Sequence, residues 1–156
     1  MRWSETVRVR ASCTFRWELA KSKRNRLKEA NSHLERARAQ WDSAAVDAWE
    51  PAEPADCVTK CFYSYENALV AAATALGTVW TKKHYEKAAL AKRLFEQNKL
   101  KTDVSDLLVR LNELRKDVSY GDPGQELSEV DLEDLVSQLE LFLDEVGELV
   151  ASLEEE

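Results

Sequence analysis

The stretch VSDLLVRLNELRKDVSYGDPG, residues 104–124, predicts a helix that carries one apolar stripe and then stops abruptly. Its apolar residues recur three or four positions apart, as in a helix with one buried side: Val104, Leu107, Leu108, Leu111, Leu114 and Val118. At about 100° per residue, Arg115 lies roughly 40° from Leu111, so its guanidinium belongs to the buried side. Tyr120 and then Gly121-Asp122-Pro123-Gly124 follow, and this run breaks the helix. The stretch predicts an inward arginine close to the end of its helix.

The rest of the chain has the composition of a helical protein. Four glycines and three prolines among 156 residues leave few turns, and leucine, alanine, glutamate and lysine are abundant. This length fits one domain of ordinary size. Apolar spacing predicts further helices over about residues 18–48, 55–80, 85–97 and 129–152. We therefore expect an all-α, antiparallel bundle of about five helices.

The two longest predicted helices supply most of the expected core. In the first, apolar residues repeat every seven positions with alanines between them, which lets another helix approach closely: Leu27, Leu34, Trp41 and Ala48, with Ala30, Ala37 and Ala44. The second has the cleanest apolar stripe and is expected at the centre: Val58, Cys61, Phe62, Tyr65, Leu69, Ala72, Leu76 and Val79.

The shorter helices have weaker signals. The third is expected to bury Ala88, Ala89 and Phe95. Thr102 or Asp103 is suited to capping the fourth helix. A Ser128–Asp131 pair resembles a capping box and predicts that the fifth helix starts at about residue 129.

The N-terminal segment has a different pattern. Residues 7–17 alternate between apolar and polar side chains, which is typical of a half-buried strand. A lone strand has unpaired edges, so it could pair with its copy in a dimer, form an arm on a partner, or remain a disordered basic tail. On this basis the chain divides into an arm, residues 1–17, and a helical domain, residues 18–156.

Charge is distributed unevenly along the chain, whose formal net charge is −7. Residues 1–40 hold 11 Lys and Arg against 4 Asp and Glu, whereas residues 117–156 hold 14 acidic residues and no Lys or Arg. The basic end could contact nucleic acid or a membrane surface. Alternatively, the two oppositely charged ends attract each other, within one chain or between two.

Several classes of site lack a sequence signal. Cys13, Cys57 and Cys61, with two histidines, do not form the paired spacing of a zinc site. We interpret them as reduced thiols of a cytoplasmic protein. No apolar run reaches the roughly 18 residues of a membrane span, and no phosphate loop or nucleophile elbow is present. We expect no metal, no cofactor and no membrane partner.

The order of these features resembles the HEPN family. The resemblance rests on CFYSYENALVAAATAL (61–76), TKKHYEKAALAKRLFE (81–96) and LNELRKDVSYGD (111–122), and spans about residues 33–150. It implies a small helical bundle that commonly dimerises. Many members are metal-independent ribonucleases of toxin–antitoxin and defence systems, often beside a nucleotidyltransferase-like partner.

The family motif is an arginine followed after a short spacer by a histidine. Arg115 matches the arginine, but Tyr120 stands at the histidine position. Histidine, with a pKa of about 6.5, moves protons at neutral pH, whereas tyrosine, at about 10, is a poor base. If the chain is active, Arg115 and Tyr120 are the expected catalytic pair. Both remain able to bind phosphate or a base.

Other candidate binding residues accompany this pair. Glu66 lies at the edge of the second helix's stripe, where it could pair with Arg115. That ion pair could simply fix the packing. His84 is interpreted as a capping or surface histidine, because nothing in the sequence places it near Arg115. With these, Asn112 and Asp122 complete the predicted binding set.

The resemblance leaves three functions open. The first is a dimeric protein- or RNA-binding module of a toxin–antitoxin or defence-type system, with weak or no catalysis. The second is a metal-independent endoribonuclease toxin that uses Arg115 and Tyr120. The third is a structural homodimer. The tyrosine favours the first, and a nucleotidyltransferase-like protein or an antitoxin is the expected protein partner.

Overall fold

The computed structural model describes the backbone of residues 3–49, 52–120 and 124–156, and the side chains of residues 22–49, 52–119 and 126–156. These residues form six helices and no strand. The helices are α1 (Trp3–Ala48), α2 (Pro54–Ala75), α3 (His84–Glu96), α4 (Ser105–Tyr120), α5 (Gly124–Ser128) and α6 (Leu132–Glu155). The predicted all-α class is confirmed.

Helices α1 and α2 pack antiparallel along their small residues. The Ser64 hydroxyl donates to the Ala37 carbonyl at 2.6 Å, and the Cys57 thiol donates to the Ala44 carbonyl at 3.4 Å. Residue numbers fall along α1 as those of their partners rise along α2, so the two helices run in opposite directions. Ala37 and Ala44 are completely buried. The alanine spacing in α1 thus provides the close approach that the sequence predicts.

Helix α2 is the centre of the bundle and contacts each of the other five helices described. Most of its predicted stripe is buried, and the Tyr65 ring packs against Phe142 of α6 at 5.4 Å between centroids. The helix ends earlier than predicted, because Gly77 adopts a left-handed φ of 70°. Val79 lies beyond that turn and is 83% exposed. Its predicted place in the stripe is therefore wrong.

The strand expected over residues 7–17 is also wrong, because the backbone of this segment continues α1. A helix satisfies its own backbone hydrogen bonds, whereas a single strand leaves its peptide groups unpaired along both edges. Side chains of this segment lie outside the described residues. The division into an arm of residues 1–17 and a domain of residues 18–156 stays a prediction.

Two details of the shorter helices differ from expectation. In α3 the core residues are Ala88, Leu90, Ala91 and Leu94, whereas Ala89 and Phe95 are exposed. Leu94, three positions after Ala91, continues the buried stripe, and Phe95 falls outside it. The Asp103 carboxylate, one of the two predicted caps, accepts a hydrogen bond from the Ser105 amide at 3.0 Å.

A second difference concerns the start of the last helix. Ser128 belongs to the short helix α5, so it does not cap α6. Asp131 occupies the N-cap instead and accepts the Asp134 amide at 3.0 Å.

The basic part of α1 lies beside the acidic end of α6. A cavity of about 800 Å³ between them is lined by basic and acidic side chains, among others Lys23, Arg24, Lys28, Glu154 and Glu156. Asn31 donates to the Glu154 carboxylate at 2.6 Å in the same region. This arrangement agrees with attraction between the two charged ends within one chain.

The core packing predicts a contrast between two adjacent residues of α6. Phe142 is 2% exposed and Leu141 is 63% exposed. We expect Phe142→Ala to lower the free energy of unfolding by about 3–5 kcal/mol, because it leaves a cavity against Tyr65. Leu141→Ala is the control and should change it by less than about 0.5 kcal/mol. Urea unfolding followed by circular dichroism measures both, and equal effects would contradict this packing.

His33 of α1 sits at the edge of the core. Its ring contacts Trp80 edge-on at 5.8 Å between centroids. Nδ1 is buried and has no hydrogen-bond partner within the described residues. Burial, followed by the charge of Arg36, lowers the pKa of His33 below its ordinary 6.5.

A lowered histidine pKa makes stability depend on pH. The unfolded state takes up the proton more readily, so the contribution of neutral His33 is complete above pH 6.5 and declines as the pH falls below that value. We expect the melting temperature to drop between about pH 7 and pH 5, and to drop less in His33→Gln. Thermal melts across this range test the expectation, and parallel pH profiles for the two proteins would refute it.

Candidate functional site

Arg115 is carried by α4 to the interface with α2, as its place in the apolar stripe predicts. Its side chain is partly buried. Nη2 donates to the Asn112 amide oxygen at 2.9 Å, one helical turn earlier, and Nη1 donates to the Tyr63 hydroxyl at 3.3 Å. Both partners are neutral groups. Among the described residues, the inward arginine is therefore held by neutral groups.

Two aromatic rings of α2 complete the surroundings of this arginine. The guanidinium carbon lies 5.2 Å from the Phe62 ring centre and 5.5 Å from that of Tyr63. These are cation–π distances. The attraction between the guanidinium and the two rings offsets part of the free-energy cost of removing the charge from water. We call Phe62, Tyr63, Asn112 and Arg115 the arginine cluster.

The arginine cluster leaves a positive charge uncompensated. Within the part of the chain that the structure describes, no carboxylate forms a salt bridge with Arg115, and its Nε is buried without a hydrogen-bond partner. A guanidinium is always charged and presents donors in a planar fork. An anion such as a phosphate oxygen is the natural complement of this arrangement.

Glu66 does not pair with Arg115, so that prediction is wrong. Its carboxylate is 5% exposed and contacts the first turn of α3 instead. One oxygen lies 2.7 Å from His84 Nδ1, and the other accepts Lys87 Nζ at 3.2 Å. We call Glu66, His84 and Lys87 the glutamate cluster. The Lys87 ammonium and the His84 imidazole occupy both oxygens of this buried carboxylate, so Glu66 makes no contact with Arg115.

Phe62 connects the two clusters. Its ring contacts His84 at 5.2 Å between centroids, the same distance that separates its centre from the Arg115 guanidinium carbon. Phe62 and Glu66 are one turn apart on α2, and both contact His84. The structure thus brings together Glu66, His84, Asn112 and Arg115 of the predicted binding set.

Three site residues were missed by the sequence analysis: Phe62, Tyr63 and Lys87. Phe62 was assigned to the core, which is correct but incomplete. The signal that could have found the site is the four-residue spacing of Phe62 and Glu66, which places a ring and a carboxylate on one face of α2.

Tyr120 and Asp122 are the two remaining candidates. The α4 helix ends at Tyr120, as the sequence predicts. The Tyr120 side chain and the whole of Asp122 lie outside the described residues. Their proposed roles therefore stay predictions.

The cysteines of α2 serve the core. Cys57 and Cys61 are free thiols and completely buried. A hydrogen bond with Cys57, and then burial, raise the pKa of the Cys61 thiol. In the described residues no group of three or more His, Cys, Asp or Glu is placed to hold a metal ion. None of the helices described there combines the length and the apolarity needed to cross a membrane.

The glutamate cluster predicts a stability effect at a single position. We expect Glu66→Gln to lower the free energy of unfolding by about 1–3 kcal/mol, because Lys87 and His84 then lose their charged acceptor. Glu113→Gln is the matched control, since Glu113 is exposed on α4, and should change it by less than about 0.5 kcal/mol. Urea unfolding of the two variants measures these changes. A Glu66→Gln protein with an unchanged free energy of unfolding would show that the glutamate cluster does not stabilise the fold.

Comparison with known proteins agrees with the helical arrangement. The family model described as HEPN domain matches residues 26–149, which cover most of the chain and include both clusters. Neither the comparison with curated proteins nor that with solved structures gives a significant match. Because the family match extends over α2, α3, α4 and α5 together with half of α1 and most of α6, the chain belongs to the HEPN domain family.

Proposed function

We propose that this chain is an RNA-binding HEPN module whose arginine cluster holds a phosphate of the RNA backbone. The observation that carries the proposal is the half-buried guanidinium of Arg115, whose partners are an amide, a phenol and two aromatic rings. A phosphate oxygen supplies the negative charge that this guanidinium lacks. Tyr63, which is partly buried, adds an aromatic edge for a neighbouring base.

The acidic end of the chain restricts where RNA binds. The last 40 residues hold 14 acidic side chains and repel phosphate. Arg115 lies on α4, and among the described residues no salt bridge joins α4 to the acidic α6. RNA is therefore expected at the arginine cluster rather than along α6.

The biological setting is also part of this proposal. The HEPN assignment supports a ribonuclease-like, toxin-type helical module. We infer a homodimer of a toxin–antitoxin or defence-type system in the cytoplasm, where a nucleotidyltransferase-like protein or an antitoxin is the partner. With tyrosine at the position of the motif histidine, the pair Arg115 and Tyr120 gives weak or no catalysis, because a phenol holds its proton to about pH 10.

The alternative is a metal-independent endoribonuclease toxin that uses Arg115 and Tyr120. Both residues belong to the last part of α4, within five positions of each other. In this function Arg115 stabilises the charge that develops on the phosphate, and Tyr120 moves the proton. We rank it second because the phenol is poorly suited to that second task near neutral pH.

RNA binding is tested by fluorescence anisotropy with a labelled, short single-stranded RNA of mixed sequence. We expect Arg115→Met to weaken binding about 10-fold or more, because a charged hydrogen bond to phosphate is lost. The salt dependence of binding should fall by about one phosphate contact. Arg115→Lys keeps the charge but loses the planar fork of donors. Its RNA affinity should therefore lie between that of the unchanged protein and that of Arg115→Met.

Arg110→Met is the matched control, because Arg110 is exposed on the same helix and carries the same charge. It should bind RNA nearly as the unchanged protein does. Equal losses in the Arg110 and Arg115 variants would reduce the effect to general electrostatics and contradict the arginine cluster as the site. An unchanged protein that binds no RNA would refute the function itself.

A further inference from the structure

The segment that connects α2 to α3 presents an apolar ridge, formed by Val79 and Trp80. Val79 is 83% exposed, the highest value among the large apolar side chains described. Trp80 is partly buried: its Nε1 donates to the Thr74 hydroxyl at 3.1 Å, and its ring contacts His33 edge-on at 5.8 Å between centroids. Trp80 therefore anchors the segment, and its neighbour Val79 is held outward.

A cavity lies on each side of the ridge. The cavity toward α3 has a volume of about 500 Å³, and the cavity toward α1 has a volume of about 320 Å³. Val79 and Trp80 line both of them, so the two cavities adjoin at the ridge. Six of the lining residues form what we call the ridge groove: Arg26, Val79, Trp80, Ala89, Leu90 and Arg93.

Two carboxylates border the ridge groove, and both have partners within the chain. Glu86 accepts a hydrogen bond from the Thr81 hydroxyl and lies 3.7 Å from the Lys83 ammonium. Glu29 lies 3.7 Å from Nε2 of His33. Among the described residues, neither carboxylate forms a salt bridge with an arginine.

The two arginines of the ridge groove have no acidic partner within the part of the chain that the structure describes. The Arg26 guanidinium lies against Gly77, where an added Cβ would be 3.3 Å from Nε. Arg26 donates to the Ser22 hydroxyl at 3.3 Å, but its buried Nε has no hydrogen-bond partner there. Arg93 is exposed on α3 and forms no salt bridge with the described residues. Charge complementarity therefore favours an acidic occupant.

We propose that the ridge groove binds an acidic segment of a partner protein. Apolar side chains of that segment pack on both sides of Val79, and its carboxylates pair with Arg26 and Arg93. An apolar centre with charged groups at its rim is the usual anatomy of a protein interface. Because Trp80 already fixes the ridge, binding requires little ordering on this side of the complex. The inference goes beyond the RNA-binding function and does not depend on it.

RNA is the less suitable occupant of the ridge groove. Of the residues that line the two cavities, Trp80 alone is aromatic. Single-stranded RNA binds to aromatic rings on which successive bases stack, beside a basic path that follows the backbone. The aliphatic side chains of Val79, Ala89 and Leu90 instead suit the aliphatic side chains of a protein segment.

The test selects short random peptides, displayed on phage, for binding to the full chain. We expect the selected peptides to combine Asp or Glu with aliphatic or aromatic residues. Their synthetic, labelled forms are then measured by fluorescence anisotropy. Val79→Ser should weaken binding about 10-fold or more, because the apolar contact of the ridge is lost. Arg93→Gln should weaken it by a similar factor, because a carboxylate of the peptide loses its charged partner.

Val46→Ser and Arg110→Gln are the matched controls. Val46 is 74% exposed near the C-terminal end of α1, and Arg110 is exposed on α4. Neither residue lines the ridge groove, so both variants should bind the peptides as the unchanged protein does. Equal losses in the control variants and in the ridge-groove variants would contradict the ridge groove as the site. Circular dichroism of each variant confirms that the compared proteins are folded.

The remaining outcomes identify other occupants or overturn the proposal. A selection that yields no binding peptide, or only peptides without acidic residues, overturns it and leaves the RNA-binding function standing. In the RNA anisotropy assay, Val79→Ser and Arg93→Gln should bind as the unchanged protein does. A loss of RNA affinity as large as that of Arg115→Met would assign the ridge groove to RNA. A lower mass of Val79→Ser in light scattering would assign it to a second copy of the chain.

Discussion

A guanidinium in a half-buried position must have partners, and in this protein it has no carboxylate among the described residues. Two aromatic rings, a phenol oxygen and an amide oxygen hold Arg115 instead. Such contacts orient the fork of donors and lower the cost of partial burial, but they leave the charge in place. Arg115 therefore brings a positive charge to the interface of α2 and α4 that its contacts do not neutralise.

The central helix α2 supplies and positions most of the groups around Arg115. Because α2 is buried against every other helix described, its side chains have little freedom, and the ring of Phe62 is fixed from several sides. Functional groups that project from such an element are held more accurately than groups on loops. The same rigid face presents Phe62 toward α4 and Glu66 toward α3, so one helix positions both clusters.

The buried carboxylate of Glu66 has its hydrogen-bond partners on α3. Its neighbours on the first turn of α3, His84 and Lys87, lie closer than Arg115 and satisfy both oxygens. Had Glu66 paired with Arg115, the guanidinium would have been neutralised and the histidine left without a fixed orientation. The observed pairing instead holds His84 against Glu66 and leaves Arg115 without a carboxylate partner among the described residues, while Phe62 contacts both His84 and Arg115.

The sequence by itself determined the class of the fold, the face of α1 on which another helix packs closely, and the inward direction of Arg115. These follow from apolar and alanine spacing, which is a local property of each helix. The strand predicted over residues 7–17 was wrong, because alternation of apolar and polar side chains does not show whether a partner strand exists.

Only the tertiary structure decided which helices meet around Phe62. The glutamate of α2, the histidine that begins α3 and the arginine of α4 are far apart in the chain, and helical periodicity fixes the face of each but not its neighbour. Their meeting depends on how three helices are positioned around a shared core, and that is set by packing over the whole bundle.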